Sequence, residues 1–107
     1  FHFWSGSADM DFSIEQSFTD LEPGTYELSA FSQGGDLSDD ASMELYALVD
    51  GKELTAPFKL TTYADWQNPA IPEIKVTDGS LTIGVRYKCN VNSWGTLDDV
   101  TLYKIAE

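Results

Sequence analysis

Two of the three tryptophans in this chain stand among amide side chains in segments that carry no strand pattern. Trp66 lies in Tyr63-Ala64-Asp65-Trp66-Gln67-Asn68-Pro69, and Trp94 lies in Asn92-Ser93-Trp94-Gly95-Thr96. A flat indole matches the apolar C–H face of a pyranose ring, while neighbouring amides, guanidinium groups and carboxylates hydrogen-bond its hydroxyls. Gln67 and Asn68 stand beside the first indole and Asn92 beside the second; Arg86 is the guanidinium expected to converge on them. The same tryptophans could instead plug the open end of a β-sandwich. In that case the sheet face that carries Trp4 and Tyr46 is the alternative binding surface.

Asp98 and Asp99 immediately precede Val100, and in a strand they point to opposite faces. The phase puts Asp98 on the side of Val100 and Leu102, the apparent core side. A buried carboxylate is costly unless it is paired, hydrogen-bonded or bound to a metal. Ca2+, which takes several oxygen ligands, would suit such a position. So would a carboxylate that accepts backbone amides at a strand entrance.

Other chemistries find little support. His2 is the only histidine and Cys89 the only cysteine, so there is no zinc-type cluster and no internal disulfide. Glycoside hydrolysis needs two carboxylates flanking one bond. The 18 acidic residues do not rule that out by count, but most fall in turns or on outward strand positions. The reading is therefore of a non-catalytic domain.

Six basic residues against 18 acidic ones give a formal charge of −12. Affinity for phosphates comes from Lys and Arg, so nucleic acid and anionic membranes are poor partners. No apolar run approaches the roughly 20 residues that span a bilayer. The 107 residues suit one domain with its own core. The chain opens directly in Phe1-His2-Phe3-Trp4, as a mature or trimmed piece of an extracellular protein would.

Alternation of period two must position these side chains. Phe12, Ile14, Gln16 and Phe18 share one phase, which predicts a buried, hydrogen-bonded Gln16. Tyr26, Leu28 and Ala30 form the next inward set, followed by Met43, Leu45, Ala47 and Val49. Asp50-Gly51 predicts a hairpin into residues 53–60, where Pro57 marks an edge or bulge. Asp78-Gly79 predicts a second hairpin between Ile74/Val76 and Leu81/Ile83/Val85. Val100, Leu102 and Ile105 mark the last strand. About eight short strands imply an all-β antiparallel sandwich of jelly-roll type. The outward phase carries Trp4, Phe31, Tyr46 and Arg86, aromatics that call for a covering loop or a ligand.

Several blocks occur in an order that resembles a known group. They are Phe1-His2-Phe3-Trp4-Ser5, Gln33-Gly34-Gly35-Asp36, Trp66-Gln67-Asn68-Pro69, Leu81-Thr82-Ile83-Gly84 and Trp94-Gly95-Thr96-Leu97-Asp98-Asp99 through Leu102-Tyr103-Lys104. The chain is similar over nearly its whole length to carbohydrate-binding module family 61. These are β-sandwiches appended to bacterial endo-β-1,4-galactanases of glycoside hydrolase family 53. The resemblance implies a galactose-binding-like jelly roll that binds β-1,4-galactan and holds a catalytic domain against it. It also implies a structural Ca2+ near the last strand, with Asp98 and Asp99 as the candidate ligands. Gln33 and Trp4, in the matching blocks, join Trp66, Trp94, Gln67, Asn68, Asn92 and Arg86 as candidate ligand-binding residues. Such modules carry a further stretch before the His-Phe-Trp strand, so residues 1–107 are expected to form one module without its N-terminal strand. The expected partner is a polysaccharide met outside the cell, by a monomeric module within a multidomain enzyme. Another glycan, such as xylan or β-glucan, and a protein partner for a cell-surface sandwich are the alternatives.

Overall fold

The computed structural model describes residues 1–106. Eight strands follow one another: β1 (His2–Trp4), β2 (Met10–Phe18), β3 (Gly24–Gly35), β4 (Ser42–Val49), β5 (Lys52–Phe58), β6 (Ala70–Val76), β7 (Leu81–Cys89) and β8 (Trp94–Ala106). No helix occurs among the described residues. The strands form two four-stranded antiparallel sheets, ordered β1-β8-β3-β6 and β2-β7-β4-β5. The expected all-β sandwich of about eight strands is what the chain forms.

The core lies between the sheets and is made by the predicted alternations. Tyr26, Leu28 and Ala30 from β3 meet Met43, Leu45, Ala47 and Val49 from β4, and Leu81, Ile83 and Val85 from β7. Each set faces inward because successive residues of a strand point to opposite sides. Phe3, Phe12 and Tyr87 close one end as a ring cluster, with centroids 4.7–5.3 Å apart. Asp50 and Gly51, at φ 53° and 74°, make the β4–β5 hairpin turn, a geometry that needs positive φ at both central residues. Pro57 sits on β5, which is indeed an edge strand, where a missing N–H is tolerated.

The second expected hairpin is not one. β6 belongs to the first sheet and β7 to the second, so the turn at Asp78-Gly79 carries the chain across the core. Both strands present apolar residues to the same interior from opposite sides, and alternation looks alike in either arrangement. Gln16 differs as well: it is exposed. The register behind the expectation is right, since Phe12, Ile14 and Phe18 are all half-buried. However, β2 is an edge strand, and Gln16 stands at a gap of about 240 Å³ between the sheets that Ile14, Ile83, Leu97 and Val100 also line. Beyond Leu97, β8 pairs with β3 alone among the described strands, which leaves Val100 and Ile105 45% and 49% exposed rather than in the core.

Tyr46 points outward as expected, but on the second sheet, so it shares no face with Trp4 of the first, and only 2% of it is accessible. Its cross-strand partner is Gly84, and its ring lies where a side chain at that position would stand. The Arg86 guanidinium caps it from above, 4.1 Å from the ring centroid.

Candidate functional site

The outward face of the first sheet carries three rows of side chains set by strand register. Gly35 of β3, Trp94 of β8 and Trp4 of β1 form the first row. Gln33, Thr96 and His2 form the second. Phe31 and Asp98 form the third. Same-face rows are two residues apart, about 6.7 Å, so the first and third stand ~13 Å apart.

The first row is an aromatic station. A Cβ on Gly35 would lie 3.0 Å from Trp94 Nε1, so the missing side chain lets the indole lie close over β3. Trp4 is 61% exposed, and its indole folds back over Gly6. The Tyr63 ring, 74% exposed, stands 6.3 Å from Trp94, and the His2 ring 6.5 Å from it.

The loop between β5 and β6 supplies both Tyr63 and Trp66. Its C-terminal half runs along β3: Ser32 N–H donates to Gln67 O at 2.9 Å, and Gln67 N–H donates to Ser32 O at 2.7 Å. Ala30 N–H then donates to Pro69 O. The middle of the loop is held by Gln33, whose Oε1 accepts the Ala64 N–H at 2.5 Å. Ala64 itself takes a left-handed φ of 66°, and the Thr61 hydroxyl donates to the Asp65 carboxylate. Pinned in this way, the loop sends Tyr63 toward the first row and Trp66 toward the third.

At the third row Trp66 and Phe31, 41% and 38% exposed, line a concavity of about 260 Å³ with Asp98 and Asp99. A bulge in β8 makes this possible. Ser29 pairs with Thr101 and Phe31 with Asp98, so β3 takes two steps while β8 takes three. Asp99 absorbs the extra residue at a left-handed φ of 48°, a conformation Asp tolerates better than most residues. The bulge also explains the phase error at Asp98, which stands outward beside Phe31 rather than on the core side. Its Oδ1 accepts the Asp99 N–H at 2.8 Å, a local bond only.

Ca2+ takes six to eight oxygen ligands. Asp98 and Asp99 offer two exposed carboxylates, and no group of three or more His, Cys, Asp or Glu that could hold a metal occurs among the described residues. Two carboxylates leave the remaining positions of such an ion to other oxygens, backbone carbonyls and side-chain amides among them.

Trp4, Trp94, Trp66 and Gln33 share the outer face of the first sheet, with Gln33 beneath the loop and only 8% exposed. Trp94, expected in a loop, is instead the first residue of β8, while Trp66 does lie in a loop, and the two occupy different rows of the face. Gln67 works mainly through its backbone, Asn68 is exposed on the same loop, and Asn92 sits in the β7–β8 turn at φ 69° with its N–H donated to Ser5 O. Arg86 does not join them. Its neighbours Val85 and Tyr87 point into the core, so it stands on the outer face of the second sheet, held by Glu44 and by Glu53 at 2.9 Å. These two carboxylates raise its already high pKa further. Phe31 and Tyr63 were missed as site residues. Phe31 carried a signal, being out of phase with Tyr26, Leu28 and Ala30; Tyr63, in a loop, carried none beyond its aromatic type.

No family model matches the sequence, and no curated protein matches it. Solved structures do. A family 61 carbohydrate-binding module, TmCBM61, solved in complex with beta-1,4-galactotriose, matches 97% of this chain with 69% of its own, at 26% identity and a TM-score of 0.87. The C-terminal domain of EclA, a sugar-binding protein, matches 96% of this chain with 76% of its own, at 17% identity and a TM-score of 0.72. A family 16 carbohydrate-binding module matches 96% with 74%, at 13% identity and a TM-score of 0.67. The chain is thus a β-sandwich of the carbohydrate-binding-module type, and its resemblance to the family 61 module extends over nearly all of this chain and about two-thirds of that one.

Proposed function

We propose that this chain is a non-catalytic module that binds a neutral cell-wall polysaccharide, β-1,4-galactan first among them, outside the cell, on behalf of a glycoside hydrolase in the same polypeptide. The observation that carries the reading is the register of the first sheet. It lines up Trp4 and Trp94, with Tyr63 beside them, and sets Phe31 and Trp66 two rows away on the same face. Two aromatic stations ~13 Å apart suit a run of consecutive sugar rings rather than one terminal sugar. Galactose has an axial O4, so one ring face is apolar and the other crowded; an indole takes the first, and polar groups read the second. The likeness to a module solved with beta-1,4-galactotriose supports galactan over other glycans.

The test is calorimetry of the parent, Trp94→Ala and Trp66→Ala against galactan, xylan and β-glucan oligosaccharides. Folding is checked by circular dichroism. Losing one stacking indole costs about 1–3 kcal/mol, roughly 5- to 150-fold in Kd. Galactan binding that falls by this much in both folded variants supports the reading. Preference for xylan or β-glucan would move the ligand, and no glycan binding at all would favour a protein partner.

A further inference from the structure

Resting on the glycan-binding reading, we propose that Tyr103 is a third aromatic station of the same face, one that takes the continuation of a long polysaccharide and is out of reach of a short one. Beyond the third row, β3 keeps its alternation. Phe31, Ser29 and Glu27 are interleaved with the buried Ala30 and Leu28, so all three point outward. Ser29 pairs with Thr101 of β8 on one side and with Ala70 of β6 on the other, and Glu27 pairs with Tyr103. The fourth row is therefore Ala70, Ser29 and Thr101, and the fifth is Glu27 and Tyr103. Phe31 and Glu27 are four residues apart on β3, as are Gly35 and Phe31, so the fifth row stands ~13 Å from the third and ~26 Å from the first. Aromatic rings thus recur on this face at the first, third and fifth rows.

The side chains between and around the rings suit a sugar chain. Tyr103 is half exposed, and its hydroxyl donates to the Glu27 carboxylate, which ties the end of the ring to the neighbouring strand. The apolar face of the phenol remains available to a pyranose. In the fourth row no side chain is longer than threonine, and the Ser29 and Thr101 hydroxyls bond each other at 2.8 Å. Phe31 and Tyr103 therefore flank a low floor whose hydroxyls can both donate to and accept from those of a sugar. The interval between the first two stations is about the length of a trisaccharide, and a ligand that reaches Tyr103 as well is about twice as long. Affinity should accordingly rise with chain length beyond the trisaccharide, and Tyr103 should be the residue responsible.

The experiment titrates β-1,4-galactotriose and β-1,4-galactohexaose calorimetrically into the parent, Tyr103→Ala, Tyr103→Phe and Trp94→Ala, with folding checked by circular dichroism. Tyr103→Ala should bind the triose as the parent does and the hexaose about 5- to 10-fold more weakly than the parent does, the low end of the loss expected for a stacking ring. What remains of its preference for the hexaose should be the statistical gain that any longer chain has from its additional registers. Tyr103→Phe keeps the ring and should keep most of the hexaose affinity, and Trp94→Ala should weaken both ligands. The assignment is overturned if folded Tyr103→Ala binds the hexaose like the parent, or if it weakens the triose as much as the hexaose. It is overturned too if Tyr103→Phe behaves like Tyr103→Ala, which would assign the effect to the hydroxyl and not to stacking. If any of these results comes while Trp94→Ala still loses galactotriose, the glycan reading stands and only the third station fails. A parent that binds neither oligosaccharide removes both.

Discussion

Gln33 Oε1 accepts the Ala64 N–H at 2.5 Å, and this bond ties the centre of β3 to the loop that bears Tyr63 and Trp66. Gln33 is nearly buried by the loop it holds. Its place beneath the loop suits a residue that positions Tyr63 and Trp66, and the Gln33→Ala variant separates that role from the direct sugar contact expected from its sequence block. Gln33→Ala should weaken galactotriose binding about 5- to 10-fold, with a stability loss of only about 1 kcal/mol, the net worth of one hydrogen bond. Hydrogen exchange at the Ala64 amide separates this role from a direct contact: it should accelerate in Gln33→Ala even without ligand. An unchanged amide with lost affinity would return Gln33 to the sugar.

Arg86→Ala should leave glycan binding untouched, because the core separates Arg86 from Trp94 and Trp66. It should lower stability by about 1 kcal/mol, since exposed ion pairs contribute 0.2–1 kcal/mol each and the stacking on Tyr46 adds a similar amount. Denaturant unfolding and calorimetry on one sample check both halves. A loss of affinity in the folded variant would place the ligand on the second sheet.

Gly84→Ala should be worse than Arg86→Ala. A Cβ there would lie 2.5 Å from Tyr46 Cζ and 2.7 Å from the Ile14 carbonyl oxygen. The ring can turn aside only by leaving its hydrogen bond to Glu15, 2.6 Å long, and the β2 backbone cannot turn at all. Overpacking of this kind costs about 1–3 kcal/mol. A smaller loss in chemical denaturation would show that the two strands separate with ease.

The alternations of β3, β4 and β7 were legible because each strand has one dry face, and Asp50-Gly51 was legible because its turn demands positive φ twice. What could not be read is the partner of a strand. Val76 and Leu81 alternate correctly whether β6 and β7 pair or face each other across the core. Arg86 alternates correctly too, yet alternation says only inward or outward, and a sandwich has two outsides. That is why it was expected beside tryptophans on the opposite face. Asp98 shows another limit. A one-residue bulge reverses the phase of everything before it, and Asp99 gives no local signal comparable to a glycine. Trp4 and Phe31 were correctly placed outward, because their neighbours Phe3, Ala30 and Ser32 are buried.

Tyr87 links the core to the alkaline limb of stability. Its ring is fully buried between the sheets, and its hydroxyl lies 2.9 Å from Ser32 Oγ. Ser32 gives its own proton to the Thr96 carbonyl at 2.9 Å, so Tyr87 is the donor of the pair. Burial disfavours the phenolate and pushes the Tyr87 pKa from 10.0 up to about 12. The folded state thus holds its proton more tightly than the unfolded chain does. The contribution is complete below pH ~10 and declines by about 1.4 kcal/mol per pH unit as pH rises toward 12, a total of ~2–3 kcal/mol. Tyr46 is also raised, first by burial and then by Glu15, so the parent's decline has more than one source. Tyr87→Phe isolates this one. It leaves the Ser32–Thr96 bond in place and should cost about 0.5–1.5 kcal/mol at pH 7. Between pH 10 and 12 the variant should lose less stability than the parent, so the two curves converge or cross. Parallel urea-unfolding curves across that range would mean that Tyr87 does not titrate there.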